Sequence, residues 1–256
     1  LNEYKDCSKI IIDLRDNTGG YETAVQEIAG LFLGKDKVVM HKNYTSKKKD
    51  TDYTISNAYY DNFKDFVILT NNYTASASEV LTMALKEGLD NVTIVGTKTY
   101  GKGVMQSKFN ISDGSSIKLT VAYWTSPNGT SINGVGITPD VEIENHKSLS
   151  FTGVNFDGES YEYDSVSTYT NIVQYALDYL GYDIERFDGY FDYSTRDALI
   201  EFREDNGLES GLESDGLEST LDRDTYVAII SKVIETKSLD LSKDVQLMKG
   251  RELLGG

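Results

Sequence analysis

A serine and a lysine lie 26 positions apart in a stretch where both could take part in catalysis. Ser76 lies between a short apolar run, residues 66–70, and apolar residues at helical spacing, so the pattern predicts a strand-to-helix turn there. Free N–H groups in the first turn of a helix favour negative charge nearby. Ser76 also begins a Ser-x-x-Glu capping box with Glu79, and a serine before a helix is more often a cap than a nucleophile.

Lys102 strengthens the nucleophilic interpretation of Ser76. A serine hydroxyl needs a base at neutral pH, and an unprotonated lysine amine can be that base. Gly101 and Gly103 flank the lysine and let its backbone come close to neighbouring segments. The alternative is that Gly-Lys-Gly forms an exposed turn with a solvated ammonium, which is the usual fate of such a tripeptide.

The composition argues against several other chemistries. The two histidines, His41 and His146, lie outside any motif that would bring them to Ser76, so a Ser-His-Asp triad is disfavoured. Cys7 is the single cysteine, which excludes an intrachain disulfide, disfavours a cysteine protease and suggests a semi-buried structural residue. With so few histidine and cysteine ligands, no zinc site is expected. No metal and no cofactor are predicted.

The 256-residue chain is acidic, with a formal net charge of −16, and the charge is unevenly distributed. Residues 1–145 carry 15 basic and 18 acidic side chains, a net −3, so the remaining residues carry −13. An acidic chain repels phosphate backbones, so nucleic acid is not an expected partner. The sequence contains no run of about 18 apolar residues, so no membrane span is predicted in it.

The apolar runs predict an α/β fold. Strands are expected at 9–15, 66–70 and 92–96, with helices at 23–33 and 78–87 between them. This βαβαβ order indicates a mainly parallel sheet covered by helices. A β-hairpin is expected where two further β-like runs, 104–111 and 116–123, meet at Asp113-Gly114. The basic run 47–49 is interpreted as a solvated loop.

Four sequence blocks carry a family resemblance: DLRDNTGG (13–20), ASASE (75–79), YGKGVMQ (100–106) and YWTSPNGTSINGVGITPD (123–140). In this order they resemble the core of the carboxyl-terminal processing peptidases, also called tail-specific proteases. These are serine endopeptidases with a Ser–Lys dyad. The resemblance favours catalytic roles over the two alternatives, a helix cap for the serine and an exposed turn for the Gly-Lys-Gly tripeptide.

The resemblance implies a role for each matching residue. Ser76 matches the nucleophile in preference to Ser78, Lys102 matches the general base, and Gln106 matches the residue that orients the lysine. Backbone N–H groups of Ala77 and of the Gly19-Gly20 pair match the oxyanion hole. The resemblance implies cleavage of peptide bonds, with the C-terminal regions of envelope or secreted proteins as the expected substrates.

The sequence departs from the family pattern in three ways. The serine-to-lysine spacing is one residue longer than usual, and we place the extra residue in the loop 88–91. Thr130 stands where the family often has a basic residue. The family's PDZ domain and the core strand before residue 1 are missing from this sequence, which opens with Leu1, so an upstream part is expected.

A second resemblance covers roughly residues 170–235. The predicted helices 171–180 and 194–206, with Asp188-Gly-Tyr-Phe-Asp192 between them, resemble the small helical peptidoglycan-binding modules. Tyr182 and Tyr190 are its candidate glycan-binding residues, since tyrosine faces suit sugar rings. The alternative is an ordinary helical accessory domain. Three Gly-Leu-Glu-Ser copies within 207–219 are interpreted as a slipped duplication in a solvated loop, without a function.

The sequence therefore predicts four segments: a peptidase core at 1–146, a polar linker at 147–168, a peptidoglycan-binding-like module at 169–236 and a C-terminal helix at 237–256. The expected protein is a bacterial, extracytoplasmic serine endopeptidase whose partners are peptide substrates and peptidoglycan. The alternative is a cell-wall-binding protein whose peptidase core is inactive or structural. Whether the chain forms a homodimer is left open.

Overall fold

The computed structural model divides the chain into two units. It describes residues 1–151, 153–158, 160–208 and 220–256. The first unit comprises Leu1–Glu144 together with Gln246–Gly256, and the second comprises Asn145–Val245. The Gly-Leu-Glu-Ser repeats fall almost wholly within 209–219, outside the described residues.

The first unit combines strands with helices. Its strands are β1 (Lys9–Asp13), β2 (Val38–Tyr44), β3 (Lys49–Tyr53), β4 (Asp65–Thr70), β5 (Val92–Gly96), β6 (Val104–Asn110), β7 (Ser116–Thr125) and β8 (Val141–Glu142). Its helices are α1 (Glu22–Leu33) and α2 (Ala77–Gly88). β1, β4, β5 and β8 pair in parallel, in the order β1-β4-β5-β8. The predicted α/β class and its parallel sheet are confirmed.

Strand β4 is buried on both faces, as its uninterrupted apolar sequence predicts. Phe66 and Ile68 belong to the core formed with α1 and α2, whereas Val67 and Leu69 belong to a smaller core on the other face. The C-terminal helix of the chain, whose residues 246–253 belong to the first unit, covers that second face. A Cβ added to its Gly250 would lie 3.0 Å from Val67 Cγ1, so this glycine allows close packing.

A second, antiparallel sheet has the order β3-β2-β7-β6. The predicted hairpin at Asp113-Gly114 is confirmed as the β6–β7 pair. The β2–β3 hairpin was not predicted: His41 lies within β2, and Lys49 begins β3, so only part of the basic run 47–49 is in the turn. The sequence of β3, Lys-Asp-Thr-Asp-Tyr, has no apolar alternation that would have indicated a strand.

One smaller sequence prediction is wrong. Cys7, expected to be semi-buried, is exposed. The prediction came from local pattern, whereas side-chain burial depends on which neighbouring elements cover each position.

The second unit is mainly helical. Its elements are a 3-10 turn (Lys147–Ser150), strand β9 (Ser160–Tyr161), helix α3 (Thr168–Leu180), helix α4 (Tyr193–Asp205), strand β10 (Leu221–Asp222), helix α5 (Arg223–Leu239) and a 3-10 turn (Leu241–Lys243). Helix α6 (Val245–Leu253) then carries the chain back to the first unit. Gly181 ends α3 in the left-handed conformation that glycine adopts without strain. Among the described residues, no helix of either unit is both long and apolar enough to cross a membrane.

The segment 147–168, interpreted from sequence as a linker, contributes to the second unit's core. The ring of Phe156 lies 4.7 Å from that of Tyr169 and 5.1 Å from that of Tyr226. Strand β9, which lies in the same segment, pairs with β10. The serine, glycine and acidic residues around Phe156 make the segment look like a connection, although one aromatic side chain anchors it.

We predict that residues 145–245 fold independently and that Phe156→Ala lowers the free energy of unfolding of this fragment by about 3–5 kcal/mol. The fragment contains every member of its own core cluster, and Phe156 is only 6% exposed. Urea unfolding followed by circular dichroism measures the change. Val166→Ala is the matched control, because Val166 is 71% exposed and its loss should change stability by less than about 0.5 kcal/mol. Equal stabilities of the two variants would contradict the assignment of Phe156 to the core.

Candidate active site

Ser76 occupies a strained turn immediately before α2. Its backbone has φ 56° and ψ −118°, a conformation that non-glycine residues rarely adopt. Such strain persists only where the surrounding structure holds the residue in place, and it is common at functional sites. Ser76 is partly exposed, whereas Ser78, the alternative nucleophile, is buried at 4% exposure. The structure thus makes Ser76 the accessible serine of the pair.

The carboxylate of Glu79 holds this turn and is fully buried. It accepts a hydrogen bond from the backbone N–H of Ser76 at 2.8 Å, which is the carboxylate half of the predicted capping box. It also accepts bonds from the Thr99 hydroxyl at 2.5 Å, the Gly101 N–H at 2.7 Å and the Lys102 N–H at 2.9 Å. One carboxylate therefore ties the backbone of the serine to the backbone of the lysine.

The Gly-Lys-Gly segment packs tightly against neighbouring backbone and is not an exposed turn. A Cβ on Gly101 would lie 2.7 Å from the Gly136 nitrogen, and one on Gly103 would lie 2.5 Å from the Asn133 Cβ. Trp124 donates its indole N–H to the Lys102 carbonyl at 3.0 Å. These contacts explain why glycine flanks the lysine on both sides.

The predicted catalytic side chains line one cavity of about 300 Å³ in the first unit. Its lining includes the predicted residues Ser76, Ala77, Lys102, Gln106 and Gly20. Apolar residues form much of the remaining wall, namely Val25, Val39, Met40, Val80, Val104, Met105 and Trp124. The described structure contains no hydrogen bond between Ser76 Oγ and Lys102 Nζ; in catalytic sites such bonds often tighten only when substrate is bound.

The two glycines of the predicted oxyanion hole differ in position. Gly19 has φ +102°, and a Cβ there would lie 2.7 Å from the Ala75 oxygen and 2.9 Å from the Ala77 nitrogen. Its N–H donates to Asn17 Oδ1 at 3.0 Å and is thereby occupied. Gly20 lines the cavity. The geometry therefore favours Gly20, with Ala77, as the pair of donors, and gives Gly19 the role of close packing against the serine turn.

Gln106 reaches the cavity from β6, at a register shift between Met105 and Gln106. The described structure has no hydrogen bond between its amide and Lys102, so its orienting role stays a prediction. A second lysine, Lys118 on β7, also lines the cavity. The sequence did not single out Lys118, because strand pairing alone brings it to this wall.

An ionic cluster beside the cavity was also missed. Lys42 is buried and pairs with Glu22 at 2.6 Å and with Asp52. The pKa of Asp52 is raised to about 6, mainly by burial and secondly by the hydrogen bond with Glu22. Burial opposes ionisation of Glu22, but hydrogen bonds from Asp52 and Lys42 outweigh it and lower the pKa of Glu22. Burial likewise opposes the charge of Lys42, and the two carboxylates more than offset it, so its pKa is raised.

Neither histidine reaches the cavity. His41 Nδ1 lies 2.9 Å from the Thr51 hydroxyl on the neighbouring strand. In the second unit, His146 contacts the Ser148 hydroxyl and Asp178 Oδ2, each at 2.9 Å, an order of partners that resembles a triad. Ser148 is only 1% exposed, so a substrate cannot reach it. The described residues contain no cluster of three or more potential metal ligands.

The candidate glycan-binding tyrosines are both engaged within the second unit. Tyr182 donates its hydroxyl to Asp205 at 3.1 Å, and burial together with this bond raises its pKa to about 12. Tyr190 donates to Asp164, and the Arg186 guanidinium lies 4.4 Å from its ring centroid. The two hydroxyls thus have different partners, and a glycan-binding role for either tyrosine stays a prediction.

A further aromatic pair, of which Tyr193 is the exposed member, lies in the same unit. The rings of Tyr163 and Tyr193 are 4.6 Å apart, and the Arg196 guanidinium lies 5.0 Å from the Tyr193 ring. Tyr193 is 58% exposed. Sequence analysis missed this pair because Tyr163 lies in the segment interpreted as a linker. An exposed ring beside a cation can accept a sugar face and bond its hydroxyls.

Comparison with known proteins gives two family matches. A model described as "Peptidase family S41" matches residues 1–143, more than half of the chain. A model described as "Putative peptidoglycan binding domain" matches residues 170–211. Both of the resemblances found from sequence motifs are confirmed.

Individual relatives agree with these matches. A "Probable CtpA-like serine protease" of Staphylococcus epidermidis is 35% identical over 78% of this chain and 40% of its own length. The "Carboxy-terminal processing protease CtpB" of Bacillus subtilis is 32% identical over 96% of this chain and 48% of its own length. The chain therefore spans about half the length, or less, of these curated relatives. The solved photosystem II D1 C-terminal processing protease is 32% identical, with a TM-score of 0.50 over 56% of this chain and 36% of its own.

We predict that Glu79→Gln lowers the thermal unfolding midpoint of the first unit. A glutamine has one acceptor oxygen in place of two and turns an NH₂ group toward backbone donors. Each buried N–H left unpaired should cost about 1–3 kcal/mol. Scanning calorimetry measures the shift, and Glu27→Gln on the exposed surface of α1 is the charge-matched control. An unchanged midpoint for Glu79→Gln would show that this carboxylate does not hold the two segments together.

Proposed function

Because the chain belongs to peptidase family S41, we propose that it is a serine endopeptidase in which Ser76 is the nucleophile and Lys102 is the general base. One observation carries the proposal: two residues 26 positions apart line the same cavity. The cavity wall also includes Gly20 and Ala77, whose backbone N–H groups are suited to a developing oxyanion.

The proposed reaction proceeds through an acyl-enzyme. Unprotonated Lys102 accepts the proton of the Ser76 hydroxyl as the serine oxygen attacks the peptide carbonyl. The N–H groups of Gly20 and Ala77 bind the negative oxygen of the tetrahedral intermediate. Lys102 then returns the proton to the leaving amine, and the C–N bond breaks. Water attacks the ester in the same way and releases the second product.

The cavity wall and the relatives together suggest a substrate class. Val25, Val39, Met40 and Val80 form an apolar wall that suits an apolar substrate side chain. Two of the similar proteins are named for processing carboxyl termini. We infer that this protein cleaves the C-terminal regions of envelope or secreted proteins.

The second unit indicates where the proposed peptidase activity takes place. Its match to a peptidoglycan-binding model and the exposed ring of Tyr193, which stacks on Tyr163, lead us to propose that it binds peptidoglycan and that the enzyme acts outside the cytoplasm. The hydroxyls of Tyr182 and Tyr190 already donate to Asp205 and Asp164, which makes these two tyrosines the less favoured glycan-binding candidates. The face of Tyr193 is the better candidate for stacking on a sugar ring.

Substitution of either dyad residue should abolish peptide hydrolysis. Ser76→Ala removes the nucleophile, and Lys102→Arg replaces the base by a guanidinium that keeps its proton at any workable pH. Both variants should lose at least about 10³-fold in kcat on a fluorogenic peptide. Labelling by a fluorophosphonate should be lost in Ser76→Ala.

Ser78→Ala is the matched control, since it removes the same group two residues away at a buried position outside the cavity. It should retain hydrolysis and labelling. Activity in Ser76→Ala together with loss in Ser78→Ala would exchange the two serine assignments. A correctly folded parent protein that neither hydrolyses peptides nor reacts with the probe would support the alternative, a wall-binding protein with a structural peptidase core.

Tyr193→Ala should weaken sedimentation of the protein with purified peptidoglycan by roughly tenfold or less, because one stacking face is lost. Tyr59→Ala is the matched control, because Tyr59 in the first unit is also 58% exposed. The second half of the chain is acidic and the cell wall is anionic, so the two repel each other. Salt screens this repulsion, and binding should therefore strengthen as salt is added. Sedimentation no greater than that of an unrelated protein across the salt series would exclude wall binding.

A further inference from the structure

The buried lysine of the first unit has no role in the dyad mechanism. The Lys42 side chain is 8% exposed and is shared by two carboxylates from different elements, Glu22 at the start of α1 and Asp52 on β3. A buried ammonium is costly unless it is paired and hydrogen-bonded. The pairing therefore constrains where the first turn of α1 can lie relative to the antiparallel sheet.

Glu22 and Lys42 both stay charged at neutral pH. The lowered pKa of Glu22 and the raised pKa of Lys42 keep both groups charged. Asp52 compensates the same ammonium and is almost completely buried, with a 7% exposed side chain. The Glu22 side chain is 34% exposed and lies on the cavity wall.

The position of Glu22 in the chain links the pair to the oxyanion hole. Glu22 follows Gly20 by two residues, and both line the cavity. On the upstream side, the segment is held at Gly19, which packs against the serine turn. On the downstream side, Tyr21 is 83% exposed and caps α1 without a side-chain hydrogen bond. The contact of Glu22 with Lys42 is thus the first side-chain anchor after Gly20.

We propose that Glu22, held by Lys42, is a positioning residue that fixes the backbone N–H of Gly20 toward the oxyanion. The inference rests on the proposed peptidase function. Gly20 has open space around it, since a Cβ there would meet no atom within 4 Å. Its position is therefore set by the anchors on either side of it and not by packing of its own.

A positioning role predicts a particular kinetic effect. An oxyanion donor interacts with charge that develops only in the transition state, so its displacement lowers kcat and leaves KM nearly unchanged. A misplacement of about 1 Å can cost about 10²-fold in rate. A residue that bound substrate directly would instead raise KM.

The experiment compares Glu22→Ala, Glu22→Gln and Glu27→Ala in the full chain, with kcat and KM measured on one peptide and unfolding followed by calorimetry. Glu22→Ala removes the anchor and should lower kcat by about 10- to 100-fold with KM within about twofold. Glu22→Gln keeps an oxygen that can accept the Lys42 hydrogen bond and should recover most of kcat. Glu27→Ala removes an exposed charge from the same helix and should resemble the parent.

Three results would overturn the positioning role: an unchanged kcat in Glu22→Ala, a rise in KM that accounts for the whole loss, or a glutamine variant as impaired as the alanine variant. Fluorophosphonate labelling separates this failure from failure of the proposed function. If the parent is labelled at Ser76 and Glu22→Ala turns over normally, only the positioning role falls. If the folded parent is neither labelled nor active, the peptidase proposal falls and the positioning role falls with it.

Discussion

The carboxylate of Glu79 accepts hydrogen bonds from four groups that belong to two separate segments of the first unit. Three of the donors are backbone N–H groups, of Ser76, Gly101 and Lys102. A buried carboxylate is stable only when its oxygens accept hydrogen bonds. The Glu79 carboxylate therefore depends on the two segments, and the positions of the two segments depend on Glu79. The bond from the Ser76 N–H to Glu79 helps to hold the strained backbone of Ser76 at the start of α2. The relative positions of Ser76 and Lys102, the two residues of the proposed dyad, depend on this one buried group.

The two sheets of the first unit contribute different parts of the site. The parallel sheet ends at the serine turn and at the segment that carries Gly20, in keeping with the general tendency of α/β folds to form sites at the carboxyl ends of strands. The antiparallel sheet supplies Trp124, whose indole N–H holds the lysine's carbonyl, and Lys42, which holds the first residue of α1. The backbones of Ser76 and Lys102 are thus held by Glu79 and Trp124, while both residues line the cavity.

The second unit illustrates how aromatic residues can serve either packing or binding. Phe156, Tyr169 and Tyr226 form a core contact set with ring centroids 4.7 to 5.6 Å apart. Tyr193, by contrast, stacks on Tyr163 while its ring remains more than half exposed. Tyrosine is suited to both roles because one end is apolar and the other can hydrogen-bond. Exposure decides which role a given ring can take.

The sequence by itself indicated the βαβαβ order of the parallel sheet, the hairpin at Asp113-Gly114, the family and the proposal that Ser76 works with Lys102. These follow from apolar periodicity, turn chemistry and motif spacing, which are local properties of the chain. Only the tertiary structure decided that Gly20 rather than Gly19 faces the cavity, that the polar segment 49–53 is a strand, and that Phe156 belongs to a core. Those outcomes depend on hydrogen bonds, ion pairs and ring contacts between residues far apart in sequence, and local patterns carry no information about such partners.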